Sequence, residues 1–306
     1  MTDAFWHGLK EIVRTLLWAA LFFIPPTWVL WRMSRERKKY DEEAKIPFTE
    51  FPLRPPGESC RVEADKLFEK GMENLLLLIL GCAIFGLCTA QARSDQRLLV
   101  AGLCGVIVLG ITAYTTPRIF RSIHEYWRYR LGFRGERLVG QELDQLLAKG
   151  YRVFHDVPFD NFNVDHVAVG PVGVFVVETK ARRKWKVKEL KHPAHVVRYD
   201  GGTLTWPSGR ADRFGLEQTE RNARTVSEWL TAITGEEVVC RPILTLPGWW
   251  VERRMVRAPK VTVLSSKKLH RYFPTTAARP IRQEQVRSIC YHLSERCRLD
   301  DSKKVS

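Results

Sequence analysis

The chain has 306 residues, a formal net charge of +15 and 45% hydrophobic residues. This length accommodates about two domains, and the uneven placement of the apolar residues excludes a single water-soluble fold. The positive charge favours anionic partners, either nucleic acid or lipid headgroups. None of the seven cysteines forms a Cys-x-x-Cys pair, so the sequence predicts neither a zinc site nor a redox motif.

Three apolar segments lie in the first 116 residues, near 15–32, 75–92 and 98–116. The second and third run for about 18 residues without a charge, which is the length that crosses a hydrocarbon core. The first contains Pro25 and Pro26, which kink or break a helix, so the prediction is two to three transmembrane helices. A signal peptide is the weaker interpretation of the first segment, because basic residues close it and no small-x-small cleavage site follows.

Basic residues next to the apolar segments predict the topology, since they mark the cytoplasmic side. One cluster follows the first segment and another follows the third: Arg32, Arg35, Arg37, Lys38 and Lys39, then Arg118, Arg121, Arg128 and Arg130. We therefore predict a multi-pass protein of the cell (inner) membrane with a cytoplasmic C-terminal domain. The expected divisions are a membrane region over 1–117 with a cytoplasmic loop at 33–74, a linker over 118–133, and an α/β domain over 134–306.

The α/β domain begins with a predicted helix over 134–147, in which Val139, Leu143 and Leu146 recur at helical spacing. Gly170 and Pro171 separate two apolar strands and predict a tight hairpin. The remaining periodicity predicts further helices over 216–233 and 284–297, and strands over 151–155, 164–169, 172–177, 185–187, 203–206, 238–246 and 261–264.

Asp165 interrupts one strand of the predicted hairpin, and Glu178 and Lys180 end the other. The outer end of one antiparallel strand faces the start of its partner, so Asp165 and Glu178 are expected to be neighbours. Residues 178 and 180 point to one side because side chains alternate along a strand. Two carboxylates and a lysine can hold a divalent cation and orient a water molecule, as phosphodiester hydrolysis requires.

An ordinary ion pair at the end of a sheet is the alternative for Asp165, Glu178 and Lys180, but an unpaired carboxylate within a buried strand is costly. Glu136 lies on the same helical face as Val139 and Leu143. It is either a fourth member of the cluster or a first-turn carboxylate stabilised by the helix dipole.

The segments Gly135-Glu136, Asn163-Val164-Asp165-His166-Val167 and Gly170 to Lys180, followed by Gln218, resemble the nuclease-related domain (NERD) family over roughly residues 134–246. Val164 departs from the isoleucine common in that family. The resemblance implies a restriction-endonuclease-like fold, which is a mixed sheet flanked by helices. It also implies that Asp165 and Glu178 bind Mg²⁺ (or Mn²⁺), that Lys180 is catalytic, and that Glu136 and Gln218 complete the catalytic set.

Five residues after the second strand of the hairpin are candidates for binding a phosphate backbone and stacking a base: Arg182, Arg183, Lys184, Trp185 and Lys186. A solvated edge hairpin is the alternative for this segment. His166 points away from Asp165 and is expected to have a packing or hydrogen-bonding role. The function predicted is a membrane-anchored, metal-dependent nuclease that hydrolyses nucleic acid on the cytoplasmic face, with DNA favoured over RNA as the partner. The alternative is a catalytically inactive module that binds nucleic acid or protein and is tethered to the membrane. The lipid bilayer is a second expected partner, and self-association into a homo-oligomer is a third.

Overall fold

The computed structural model describes residues 6, 13, 24–25, 27–29, 31–36, 52–92, 95–184, 190–191, 193–273 and 281–299. The chain divides into two compact units. The first comprises Met1–Glu50 and Lys70–Arg121, and the second comprises Phe51–Glu69 and Ser122–Ser306.

Two long helices, α1 (Glu58–Gln91) and α2 (Arg97–Asp144), supply the described residues of the first unit from position 70 onward. Both are long and apolar enough to cross a membrane, with mean hydropathies of 2.0 and 2.2 over their most apolar 18 residues and with 0% and 6% of those residues buried. They meet where a Cβ atom added to Gly81 would lie 3.0 Å from Ile111. The first apolar segment, near 15–32, falls mostly outside the described residues. The expected linker over 118–133 lies within α2.

Among its described residues, the second unit has nine strands and three further helices. In chain order they are β1 (Arg152–Pro158), β2 (Asn163–Gly170), β3 (Gly173–Thr179), β4 (Val196–Tyr199), β5 (Leu204–Thr205), β6 (Ala211–Asp212), α3 (Phe214–Thr234), β7 (Cys240–Thr245), β8 (Trp250–Arg253), β9 (Thr262–Leu264), α4 (Leu269–Tyr272) and α5 (Gln283–Arg296). Short 3₁₀ helices lie at Leu147–Lys149 and Ser266–Lys268.

The main sheet has the order β1-β2-β3-β7-β9, in which β1, β2 and β3 are antiparallel and β3, β7 and β9 are parallel. The expected mixed sheet flanked by helices is therefore confirmed. A second mixed sheet, in the order β6-β5-β4-β8, was not expected. Only its strand β5 falls in a predicted strand, at 203–206. The predicted strand at 185–187 lies outside the described residues.

Helices cover both faces of the main sheet. The last turns of α2 bury Val139 and Leu143 against one face, and the turn that follows α2 buries Leu146 there as well, which confirms the apolar stripe. Helices α3 and α5 cover the other face, where Val226 and Ile289 are fully buried. Successive side chains of β3 serve both cores because they alternate between the faces. This alternation directs the side chains at the end of β3 toward α3.

The segment before α1 also belongs to the second unit. Leu53 bridges to Arg298, and the backbone N–H of Arg54 donates to the carbonyl of Cys297 at 2.9 Å. The Arg54 guanidinium then pairs with Asp156, which is 2% exposed and has a positive φ of 48°. Ser59 contributes its backbone N–H and its hydroxyl to the same carboxylate, at 3.1 and 2.5 Å. This segment therefore neutralises a buried charge on β1.

We expect Arg54→Ala to lower the free energy of unfolding by about 3 kcal/mol, because it leaves the buried Asp156 carboxylate without its cation. Lys66→Ala is the control, because Lys66 pairs with Glu63 at the surface of α1 and such pairs contribute about 0–1 kcal/mol. Urea denaturation of the full chain in detergent measures both. Equal free energies of unfolding for the two variants would show that the ion pair between Arg54 and Asp156 does not stabilise the fold.

Candidate active site

Asp165 and Glu178 meet across the β2–β3 hairpin. His166 pairs with Val177 and Gly170 with Gly173, so the same register places Asp165 opposite Glu178. The backbone N–H of Thr179 donates to the Asp165 carboxylate at 2.6 Å. Directly opposed residues of an antiparallel pair share one face of the sheet. The expected neighbourhood of the two carboxylates is therefore observed.

Helix α3 connects Glu178 to Lys180 through a side-chain amide. The Lys180 ammonium donates to Gln218 Oε1 at 2.8 Å, and Gln218 Nε2 lies 3.4 Å from Glu178 Oε2. Asn222, one helical turn after Gln218, donates to Glu178 Oε1 at 2.7 Å. Both oxygens of a carboxylate that is only 1% exposed are thus engaged by amides from one face of α3.

Glu136 reaches this cluster from α2. The neighbouring Gly135 allows the approach, because a Cβ atom there would lie 2.6 Å from the Cβ of Ala181, just beyond the end of β3. Glu136 is 6% exposed and accepts a hydrogen bond from the Cys60 thiol at 3.1 Å. The interpretation of Glu136 as a cluster member is therefore favoured over a solvent-facing carboxylate that only complements the helix dipole.

The three carboxylates hold their protons more tightly than free carboxylates do. Burial, followed by the charge of Asp165, raises the pKa of Glu136 to about 9 and that of Glu178 to about 8. Burial also raises the pKa of Asp165 to about 6, although the hydrogen bond from Thr179 and the charge of Lys180 lower it. Crowded acids with raised pKa values are typical of sites that work with a cation or a proton.

The carboxylate oxygens of Asp165 and Glu178 are the type of ligand that binds a magnesium ion. Carboxylate oxygens are the ligands this ion prefers, and it is commonly held by only one or two carboxylates, the remaining positions being taken by water and substrate phosphate. Asp165 and Glu178 would provide such a pair. Within the described ranges, no group of three or more histidine, cysteine, aspartate or glutamate side chains is arranged so that it could hold a metal ion.

His166 lies on the other side of β2, as expected. It is fully buried, its Nδ1 is 2.9 Å from Nδ1 of His155, and its Nε2 is 3.3 Å from the Thr179 hydroxyl. Burial and the neighbouring His155 lower the pKa of His166 well below its usual value. A neutral imidazole in these contacts packs on the face of the sheet opposite to Asp165.

The basic segment that follows β3 is exposed at Arg182, Arg183 and Lys184, whereas Trp185 and Lys186 lie outside the described residues. Arg182 pairs with Asp212, and its guanidinium lies 4.7 Å from the centroid of Trp206. The ammonium of Lys184 is 5.3 Å from the centroid of Trp249. Two of the five residues predicted to contact nucleic acid, Arg182 and Lys184, therefore contact aromatic rings within the protein.

The structure brings together all five residues that the sequence nominated for catalysis: Glu136, Asp165, Glu178, Lys180 and Gln218. Sequence reasoning missed two neighbours of this group. Asn222 follows Gln218 by four residues on α3, so helical spacing could have identified it. Cys60 is 76 positions away from Glu136, and no local pattern connects them.

Paired carboxylates beside a lysine lie at the adjoining ends of two adjacent strands in this α/β domain with a mixed sheet. The family model described as the nuclease-related domain matches residues 131–247. This region of the chain is therefore similar to the nuclease-related domain, which confirms the resemblance identified from the sequence.

One curated relative was found, an uncharacterized protein of Bacillus anthracis that is 41% identical over 59 residues. The match covers 18% of this chain and 28% of the relative, which is less than two thirds of the relative's length. No solved structure matched the chain.

Proposed function

We propose that the chain is a membrane-anchored nuclease that uses Mg²⁺ or Mn²⁺ to hydrolyse phosphodiester bonds of nucleic acid, DNA rather than RNA, on the cytoplasmic face of the cell membrane. The observation that carries this proposal is the pairing of Asp165 with Glu178 beside Lys180. The order and directions of the main-sheet strands suit the restriction-endonuclease-like fold that the family resemblance implies.

Each side chain has a separate task in the proposed reaction. Asp165 and Glu178 would hold the divalent cation, which supplies charge stabilisation at the scissile phosphate and lowers the pKa of bound water. Lys180 orients the attacking water and offsets negative charge that develops on the phosphate. Gln218 fixes the lysine ammonium, and Asn222 fixes the Glu178 carboxylate. Glu136 adds a third carboxyl that can hold a proton near neutral pH.

The anchoring part of the proposal rests on α1 and α2. Exposed apolar side chains dominate both helices between residues 75 and 109, including Leu76, Ile79, Leu103 and Val106. Exposing so large a continuous apolar surface to water is unfavourable, whereas the hydrocarbon core of a bilayer stabilises it. The arginines that follow the third apolar segment favour a cytoplasmic position for the domain. Residues 98–116 would form one span and residues 75–92 another.

A binding module without catalysis is the second candidate. It is favoured by the hydrogen bonds that occupy both oxygens of Glu178 and by the contact between Lys180 and Gln218. Such a protein would use the exposed basic segment after β3 and would leave the phosphodiester bond intact.

The test is cleavage of labelled single- and double-stranded DNA and RNA by the purified full chain in detergent, with Mg²⁺ or Mn²⁺ against chelator. The nuclease proposal expects metal-dependent cleavage of at least one substrate. Binding without cleavage under every metal condition would replace it with the binding module. Membrane fractionation of the expressed chain tests the anchor, and recovery in the soluble fraction would exclude it.

We expect Gln218→Ala to lower the cleavage rate by about 10–100-fold, the usual effect of removing a side chain that orients a metal ligand or its partner. The amide bridges Lys180 and Glu178, so its removal frees the Lys180 ammonium and leaves Asn222 as the amide that holds Glu178. Gln285→Ala is the control, because Gln285 lies on α5 and contacts the Glu237 carbonyl. An unchanged cleavage rate for Gln218→Ala would show that this amide does not contribute to catalysis.

A further inference from the structure

A cavity of about 510 Å³ lies between the edge strands of the two sheets, β8 and β9. The side chains from β8 include Trp250 and Arg253, and those from α4 and the residue before it include Lys268, Arg271 and Tyr272. Among the described residues that line the cavity, three are basic and none is acidic. Its volume falls in the range of ligand-binding pockets.

Charge and aromatic surface converge at the mouth of the cavity. The indole of Trp250 is 54% exposed, and the Lys268 ammonium lies 4.5 Å from its ring centroid. Arg253 is held in place because its guanidinium donates to the Val263 carbonyl of β9 at 3.0 Å. An exposed aromatic face beside fixed cations is the combination that binds unpaired nucleotides, because the ring stacks on the base and the cations attract the phosphate.

The cavity is also connected to the candidate active site. The basic segment that begins after Lys180 contacts Trp249, whose indole N–H donates to the Arg182 carbonyl at 3.2 Å. The Lys184 ammonium lies over the same ring. Trp249 directly precedes Trp250 at the start of β8. The basic segment after the catalytic strand and the cavity therefore contact two consecutive residues, the buried Trp249 and the exposed Trp250.

We propose that this cavity is a second nucleic-acid site, which takes an unpaired nucleotide of the strand that is cut at Asp165 and Glu178. The base stacks on Trp250, and its phosphate is held by Lys268 and Arg271. This inference rests on the proposed function for the identity of the ligand. It adds a preference for single-stranded nucleic acid, because a base within a duplex cannot present its face to the indole.

The test is fluorescence anisotropy of a labelled single-stranded DNA oligonucleotide with the full chain in detergent and chelator. We expect Trp250→Ala to weaken binding by about 5- to 150-fold, the usual loss on removing one stacked base, and Trp250→Phe to retain most of the affinity. Lys268→Ala should weaken binding and reduce the dependence of log K on log salt by about one unit.

Lys267→Ala is the matched control, because this neighbouring lysine is exposed but does not line the cavity. It is expected to bind nearly as the unmodified chain does. Melting temperatures of all variants establish that each is folded. Equal affinity of the Lys267, Lys268 and Trp250 variants would overturn the proposal, and so would an equal loss for duplex and single-stranded DNA with Trp250→Ala.

The outcomes separate this proposal from the nuclease. If Trp250→Ala loses affinity but the unmodified chain cleaves nothing, the cavity stands and the nuclease proposal fails. If the unmodified chain cleaves and the cavity variants bind as the control does, the nuclease stands and the cavity proposal fails.

Discussion

Lys180→Ala is expected to lower the rate of metal-dependent cleavage by about 10²–10⁴-fold, the contribution of a positioned group that manages protons and charge in a transition state. The ammonium donates to Gln218, and its positive charge lowers the pKa values of Asp165 and Glu178. Because it would act on water and phosphate rather than on the metal, affinity for Mn²⁺ should remain nearly unchanged. The measurements are single-turnover cleavage and calorimetric titration with Mn²⁺.

Asp165→Ala should fail in a different way. It removes a proposed ligand, so both Mn²⁺ affinity and cleavage should fall, while strand binding in chelator should persist. Lys267→Ala is the control for both variants, because it removes a positive charge at an exposed position outside the site. Cleavage by Lys180→Ala at the rate of the control would show that Lys180 has no role in the mechanism.

Stability in chelator is expected to decrease as pH rises from about 5 to about 9. The pKa values of Asp165, Glu178 and Glu136 in the folded chain are about 6, 8 and 9, above the ordinary values of 3.8 for aspartate and 4.5 for glutamate. The folded chain therefore holds protons that the unfolded chain releases. By linkage, the stability from these groups is fully present below about pH 4 and is lost as pH rises through the folded-state values.

Mg²⁺ should reverse this loss, because it binds the ionised carboxylates and not the protonated ones. We expect a larger rise in melting temperature on adding Mg²⁺ at about pH 8.5 than at about pH 5.5. Glu178→Gln should flatten the pH dependence in chelator, whereas Glu228→Gln, at an exposed position of α3, should not. A stability that increases with pH in chelator would contradict the assigned burial of these acids.

The candidate site was predictable from the sequence because each of its elements is set by a short-range pattern along the chain. The turn at Gly170 and Pro171 sets the register of the hairpin, and the register alone brings Asp165 to Glu178. Alternation along β3 then places Lys180 on the same face. Gln218 comes from a strongly periodic helix that packs on that face. Each step uses a spacing that the sequence displays.

The second sheet was not predictable in the same way. Strands β4 and β8 have four residues each and pair in parallel over a separation of 54 positions. Such short strands show little alternation, and their pairing depends on the surrounding core rather than on a turn. The cavity between β8 and β9 was missed for this reason.

The N-terminal edge of the domain was also not evident from sequence. A boundary at residue 134 omits Arg54 and Ser59, which neutralise the buried Asp156 on β1. It also omits Cys60, which donates to Glu136. These contacts join positions about 76 to 102 apart, so no local pattern in the sequence indicates them. Functional measurements therefore require the chain that includes residues 51–69.

The most direct test of the central claim is a comparison of the unmodified chain with Glu178→Gln in the cleavage of labelled DNA, with Mg²⁺ and with chelator. The substitution keeps the shape of the side chain and removes one charge of the proposed metal pair. The account predicts cleavage by the unmodified chain in Mg²⁺, none in chelator, and none by Glu178→Gln in either. Equal cleavage by both proteins in Mg²⁺ would contradict it.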